Sequence, residues 1–245
     1  MTSRERTGLL PLPGTSQKQP LSERALVWAW GAIQWPWLAR SLWGGRKAEK
    51  RLLLDRLGLA HDALPNLGSW KADTTFLLRL IDIIEASRPR VVVELGCGAT
   101  SLVIGRALQL HGGGQLIGFD QHAAFVEATA QWLAGHGVEA QLWPAPIVPQ
   151  DSVWASRWYQ LPVVPDAIDL LVIDGPPWVI NPFVRGHAEV LFDRIAPGGL
   201  VLLDDAARPG ERVVATRWKK RWPDFRFTYL GGGKGTLVGQ RGIYS

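Results

Sequence analysis

RVVVELGCGATSLVIGRA, residues 90–107, is the stretch whose reading decides the fold. Val91 to Val93 and Leu95 have strand character around Glu94 and run into Gly96-Cys97-Gly98, after which small and apolar residues alternate in a helical pattern. A tight glycine turn between a buried strand and a helix lets the backbone approach a ligand closely, with helix N–H groups facing it. The stretch therefore reads as the opening unit of a domain for a nucleotide or nucleoside cofactor. It is not a dinucleotide fingerprint, because Ser101 stands at the third glycine position. Cys97 reads as a tightly packed turn residue; no histidine lies near it in sequence to make it a nucleophile.

Outward from this stretch, strand and helix patterns alternate. Further strands are expected at 116–119, 140–143, 168–173 and 200–203, with a closing hairpin of 225–230 and 236–240 across Gly231 to Gly235. Helices are expected at 73–86, 100–110, 122–134, 184–195 and 210–221. The stretch 144–167 is irregular, with Trp154, Trp158 and Tyr159 as lid or surface anchors. The fold class is α/β: a mostly parallel sheet with helices on both faces and an antiparallel edge from the C-terminal hairpin.

At 245 residues and 47% hydrophobic, the chain has room for one such domain and a small N-terminal addition. Residues 1–20 read as a flexible tail with no secretory pattern, 21–69 as a tryptophan-rich helical segment, and 70–245 as the main domain. In the segment, Leu26, Trp30, Ile33 and Trp37 share a helical stripe, and Pro36 is expected to kink or end the helix at Trp35. Five of the thirteen tryptophans lie between positions 28 and 43, followed by Arg46, Lys47, Lys50 and Arg51. Docking on the core, a homodimer interface, a pocket wall and peripheral contact with a membrane surface all suit such a segment. Its apolar run, residues 25–39, is shorter than the ~20 residues a spanning helix needs.

The lone cysteine excludes an internal disulfide and fits a reducing, cytoplasmic setting. Residues 1–60 hold ten lysines and arginines against four acids, the remainder 17 against 18. The positive charge is thus an N-terminal property. Nucleic acid is a disfavoured partner, because basic and aromatic residues do not recur together as a stacking groove requires.

In an open parallel sheet, ligands gather beyond the carboxyl ends of the strands. Five acids fall there: Glu94, Asp120, Asp174, and the pair Asp204 and Asp205. Asp120 follows Gly96 at the usual reach for an acid that grips ribose hydroxyls, and it is also placed to cap the next helix. Asp174, Asp204 and Asp205 offer hard oxygen ligands suited to Mg²⁺ or another hard divalent cation. Without a metal, three close carboxylates repel, and one tends to keep its proton.

The segments VVELGCGATS (92–101), LIGFD (116–120), DLLVIDGPPW (169–178) and GGLVLLDDA (198–206) together resemble the class I S-adenosylmethionine-dependent methyltransferases. IDGPP is similar to a bacterial subfamily related to the catechol O-methyltransferase-like enzymes. The resemblance covers residues 70–245 and implies a Rossmann-like fold with a seven-stranded sheet. It implies that Glu94, Gly96, Cys97 and Gly98 frame the methionine portion of the cofactor, and that Asp120 and Gln121 lie at its ribose. Pro144 and Ala145, within Trp143-Pro144-Ala145-Pro146, would lie beside adenine, and Asp174 would close the site.

The resemblance also implies a divalent metal on Asp174, Asp204 and Asp205, where Asp205 replaces an amide ligand. Two departures stand out. Pro177 occupies the place of the general-base lysine, and no acid in 140–146 is available for the adenine amino group. The reading that follows is methyl transfer to a small organic acceptor, at oxygen, with Asp174, Asp204 and His187 as catalytic candidates and His122 as a second possible base. Methylation of RNA or protein, and a non-catalytic partner subunit, are the alternatives. Trp178 is a candidate substrate wall, with a core or lid anchor as the alternative, and Arg185 reads as a solvated arginine before a helix, with a hold on an anionic substrate as the alternative.

Overall fold

The computed structural model describes residues 21–243; the expected tail, 1–20, lies outside the described residues. The chain runs α1 (Leu21–Ser41), α2 (Lys47–Leu57), α3 (Thr74–Ser87), β1 (Val91–Leu95), α4 (Ala99–Leu110), β2 (Gln115–Asp120), α5 (Ala123–Gly135) and β3 (Gln141–Pro144). There follow β4 (Ile147–Pro149), β5 (Arg157–Tyr159), β6 (Ile168–Ile173), a run of 3-10 turns (Val184–Arg194), β7 (Ile195–Leu203), α6 (Pro209–Arg221), β8 (Phe225–Leu230) and β9 (Thr236–Arg241).

Seven strands form one sheet in the order β3-β2-β1-β6-β7-β9-β8. The first five are mutually parallel, and β9 and β8 add an antiparallel edge. From β1 the chain winds outward through β2 to β3, then returns to the other side of β1 at β6. The reversal opens a crevice at the C-terminal ends of β1 and β6, the place where such sheets bind ligands.

Strand alternation sends successive side chains to two cores. Val92, Leu170, Val172 and Leu202 face α2, α3 and α4, where Leu53, Phe76, Leu77, Ile81 and Leu102 are buried. Val93, Leu95, Leu171, Ile173 and Leu203 face Trp158, Phe192 and Trp218 on the other side. Strands buried on both faces read as continuous Val/Ile/Leu runs, as VVV and LLVI do here.

Three expectations are corrected. Trp154, Trp158 and Tyr159 are core residues rather than surface anchors, because 147–159 folds into a small antiparallel ladder of β4 and β5 packed inward. Residues 184–194, expected to be helical, form a 3-10 helix. Pro36 does not end α1, which continues to Ser41; the carbonyl it deprives of a partner belongs to Ala32, which is exposed to solvent. Arg185 is buried, not solvated.

Helix α1 lies against the body through its inner face. Trp30 meets Phe183 edge-on with ring centroids 4.9 Å apart, Gly31 abuts the Trp178 ring, and Glu23 accepts a hydrogen bond from Ser156. Helix α2, by contrast, belongs to the main core through Leu53, Leu54 and Leu57.

Candidate active site

The glycine turn between β1 and α4 is pressed against the loop after β6. The N–H groups of Asp174 and Gly175 both donate to the Leu95 carbonyl, at 2.9 and 2.6 Å. Gly96 has φ +95°, and a Cβ placed there would stand 2.7 Å from the Gly175 nitrogen. Only glycine allows this approach. Ser101 closes the turn in place of a third glycine: its hydroxyl accepts from the Gly98 N–H at 2.9 Å and donates to Glu94 Oε2 at 2.6 Å. Thr100 donates to the other Glu94 oxygen.

Burial pushes the Glu94 carboxyl up to about 8, against the pull of the Ser101 and Thr100 hydroxyls. Glu94 therefore anchors the turn to the first turn of α4. Cys97 is buried, and burial raises its thiol well above the ordinary range, which agrees with a packing role.

One strand over, Asp120 ends β2. Its carboxylate accepts from the His122 N–H at 3.0 Å, and burial lifts it to about 7. The capping and ligand-facing readings of Asp120 are thus compatible. Pro144 is its register partner on β3, and the Ala145 N–H donates to the Asp120 carbonyl at 2.8 Å. Gln121 Oε1 accepts from the Tyr159 hydroxyl at 3.1 Å. Glycine turn, Asp120 and Pro144-Ala145 thus stand at three successive strand ends. Gly98, where a Cβ would meet nothing nearer than Phe125 at 3.7 Å, and an acid on the neighbouring strand suit an amino-acid group and a ribose diol respectively. The donor set fits a nucleoside cofactor.

Asp174, Asp204 and Asp205 do converge: each offers an oxygen within 4.8 Å of the others'. Three cations that are remote in sequence converge on them. Arg185 donates to Asp205 Oδ2 at 2.9 Å and to Asp174 Oδ1 at 3.3 Å, and also to the carbonyls of Asp174, Pro176 and Asp204. Arg208 donates to Asp205 Oδ2 at 2.6 Å and to Glu211 at 2.9 Å. The Lys234 ammonium lies 3.4 Å from both Asp204 Oδ2 and Asp205 Oδ1 and donates to the Lys71 carbonyl at 2.9 Å. All six side chains are buried or nearly so.

The charges sort unequally. Burial works against Asp205, yet Arg208, Lys234 and Arg185 outweigh it and hold that carboxyl far below the usual range. Burial raises Asp174 and raises Asp204 well beyond its ordinary value. Asp205 also has φ +58°, a left-handed conformation rare for a residue with a side chain.

This donor set does not fit a resident divalent ion. A hard dication needs free carboxylate lone pairs and space for water. Here both Asp205 oxygens and Asp204 Oδ2 already face cations. Asp204 Oδ1 is buried without a hydrogen-bond partner among the described residues. Sequence reading did not join Arg185, Arg208 or Lys234 to the three aspartates. The glycines around Lys234 in GGGKGT were the one available signal, a flexible tip able to bring an ammonium inward.

His187, two residues from Arg185, hydrogen-bonds through Nδ1 to Ser152 at 2.7 Å and stacks on Trp158. Burial lowers its pKa. Its contacts are with the β4–β5 ladder region and not with the three aspartates. His122 forms the N-terminal cap position of α5. Trp178 is buried against α1 at Gly31.

Residues 93–206 match the family model described as a methyltransferase domain. No curated protein is a significant match to the chain. Among solved structures, a methyltransferase from Geobacter sulfurreducens is 20% identical with a TM-score of 0.53, the likeness covering 80% of this chain and 87% of that one. The O-methyltransferase from Bacillus cereus in complex with SAH is 13% identical with a TM-score of 0.54, over 88% of this chain and 99% of that one. A putative O-methyltransferase from Klebsiella pneumoniae is 16% identical with a TM-score of 0.51, over 88% and 98%. In strand order, in the glycine turn at the sheet's reversal point and in these likenesses, the chain has the Rossmann-like class I methyltransferase fold.

Proposed function

We propose that this chain is an S-adenosylmethionine-dependent methyltransferase that modifies a small organic acceptor at oxygen. One observation carries the reading: the Gly96–Gly98 turn, Asp120 and Pro144-Ala145 stand at the C-terminal ends of three adjacent parallel strands. The similar solved structures include one O-methyltransferase described with SAM, another described with SAH and a methyltransferase described as SAH-bound, and this supports the cofactor and the acceptor class.

When bound, the cofactor supplies an electrophilic methyl group on a sulfonium. The chain's own residues bind and orient. The Gly96 turn offers bare backbone to the amino-acid end, and Asp120 accepts from the ribose hydroxyls. Loop 174–178 is pinned by Leu95 and Arg185, which fixes one wall. Methyl transfer from a sulfonium needs in-line placement of the acceptor and exclusion of water more than chemical assistance. His187, an imidazole that burial keeps neutral, and Asp174 on the loop pressed against the turn are the groups proposed to take a proton from an acceptor hydroxyl. No step is assigned to a metal, because the three aspartates hold side-chain cations.

Isothermal titration with S-adenosylmethionine and with S-adenosylhomocysteine tests the cofactor. Saturable binding to the intact chain is expected, weakened about tenfold in Asp120→Ala through loss of the hydrogen bonds to the ribose hydroxyls. A folded Asp120→Ala protein with unchanged affinity rejects the ribose assignment, and absence of binding to the parent chain rejects the function.

A further inference from the structure

Helix α1 is apolar on both sides. Its inner face is occupied by Phe183, Trp178 and Ser156 as described, but its outer face also carries large hydrophobic side chains. Leu21, Trp28, Trp35 and Leu42 recur every seventh residue, and they are 80%, 76%, 64% and 46% exposed. At 3.6 residues per turn, this spacing forms one stripe along the helix, continued by Leu42 just past its end. Exposed alanines fill the positions between. A contiguous outward stripe of this kind marks an interaction surface rather than scattered surface hydrophobics.

Charge decides what the stripe meets. Arg24 and Arg40, both exposed, flank the exposed arc of the helix: Arg24 is in line with Leu42 at one edge, and Arg40 lies about 100° round from Leu21 toward the other. Exposed Arg46 and Lys47 follow the helix. Glu23, the one acid of α1, is turned toward the body and engaged by Ser156. A second copy of this helix packed about a two-fold axis would bring arginine borders against arginine borders, with no acid on the face to pair them. Tryptophans in the centre and arginines on both rims instead match an anionic lipid surface, where indoles sit at headgroup depth and guanidinium groups reach lipid phosphates. No helix among the described residues is long and apolar enough to cross a membrane.

We infer that the outer face of α1 docks the protein on the surface of an anionic bilayer, with the helix lying in the interface plane. The docked helix then lies beside the Trp178 loop, which it contacts from its other side. This surface is independent of the reaction proposed above.

Co-sedimentation of the full chain with mixed phosphatidylcholine–phosphatidylglycerol vesicles, and with pure phosphatidylcholine vesicles, provides the test. Binding to the anionic vesicles alone is expected, falling as salt is raised. The double variant Trp28→Ala/Trp35→Ala loses at least about tenfold in partitioning, and each of Arg24→Gln and Arg40→Gln loses about fivefold. Ala32→Glu puts an acid between the tryptophans and abolishes binding with an unchanged thermal midpoint, since Ala32 is exposed and glutamate suits a helix. Absence of binding to anionic vesicles, or equal binding to neutral ones, overturns the inference. So does a lipid-free dimer in sedimentation velocity that Trp28→Ala/Trp35→Ala dissolves, since the face is then covered by a second copy.

Discussion

Lys234 places a buried ammonium against Asp204, Asp205 and the Lys71 carbonyl. Burial alone would lower its pKa, but Asp205, Asp204 and Asp174 raise it overall, so the lysine stays charged. Removing one partner of a buried pair strands the other, at roughly 3–5 kcal/mol. Lys234→Met is therefore expected to lose about that much in urea unfolding. It is also expected to let Mn²⁺ or Mg²⁺ raise the thermal midpoint, whereas the parent chain responds to neither ion nor to EDTA. A parent midpoint that rises with divalent ion and falls with EDTA would refute the side-chain-cation reading. The acids of this cluster were legible in sequence, because strand-end positions repeat with the strand–helix period. Their cations were not: Arg185, Arg208 and Lys234 come from three separate elements, and no local pattern shows that topology brings them to one point.

At the scale of elements, the β1–α4 turn was read correctly from RVVVELGCGATS, since a run of β-branched residues broken by glycines leaves few alternatives. Its tightness could not be read, because the contact is with Gly175, far along the chain. The two turn glycines should therefore differ. Gly96 combines φ +95° with a 2.7 Å approach to backbone, while a Cβ at Gly98 would first meet Phe125 at 3.7 Å. Gly96→Ala must move backbone, and is expected to cost about 1–3 kcal/mol and to weaken cofactor binding. Gly98→Ala carries conformational strain alone and should retain the higher thermal midpoint; the opposite ranking would mean that the close approach does not constrain the turn. The 144–167 stretch resisted reading for a related reason. Strands of three residues are too short to show a period, and the burial of Trp158 and Tyr159 comes from packing beneath the sheet rather than from local sequence.

For the whole molecule, the crevice end of the sheet stores unfavourable protonation energy. Burial lifts Glu94 to about 8 and Asp120 to about 7, and it also raises Asp174 and Asp204. Between the ordinary carboxylate range and about 8, the folded chain holds protons that the unfolded chain has released. Stability then falls with rising pH over this window, by up to about 1.4 kcal/mol per pH unit for each such group. Asp205 acts in the opposite sense: its depressed value adds stability above the ordinary carboxylate range, lost as pH drops through that range and below it. The two trends place the optimum of the cofactor-free protein on the acid side of neutrality, at roughly pH 5. Glu94→Gln should flatten the decline toward pH 8, because the amide has no proton to lose. Thermal melts from acid to mildly alkaline buffer, on parent and Glu94→Gln chains, measure this directly. A parent midpoint that climbs steadily from pH 5 to 8 would mean that Glu94 and Asp120 are ionised in the fold, and that solvent reaches a crevice end whose acids are buried in this structure.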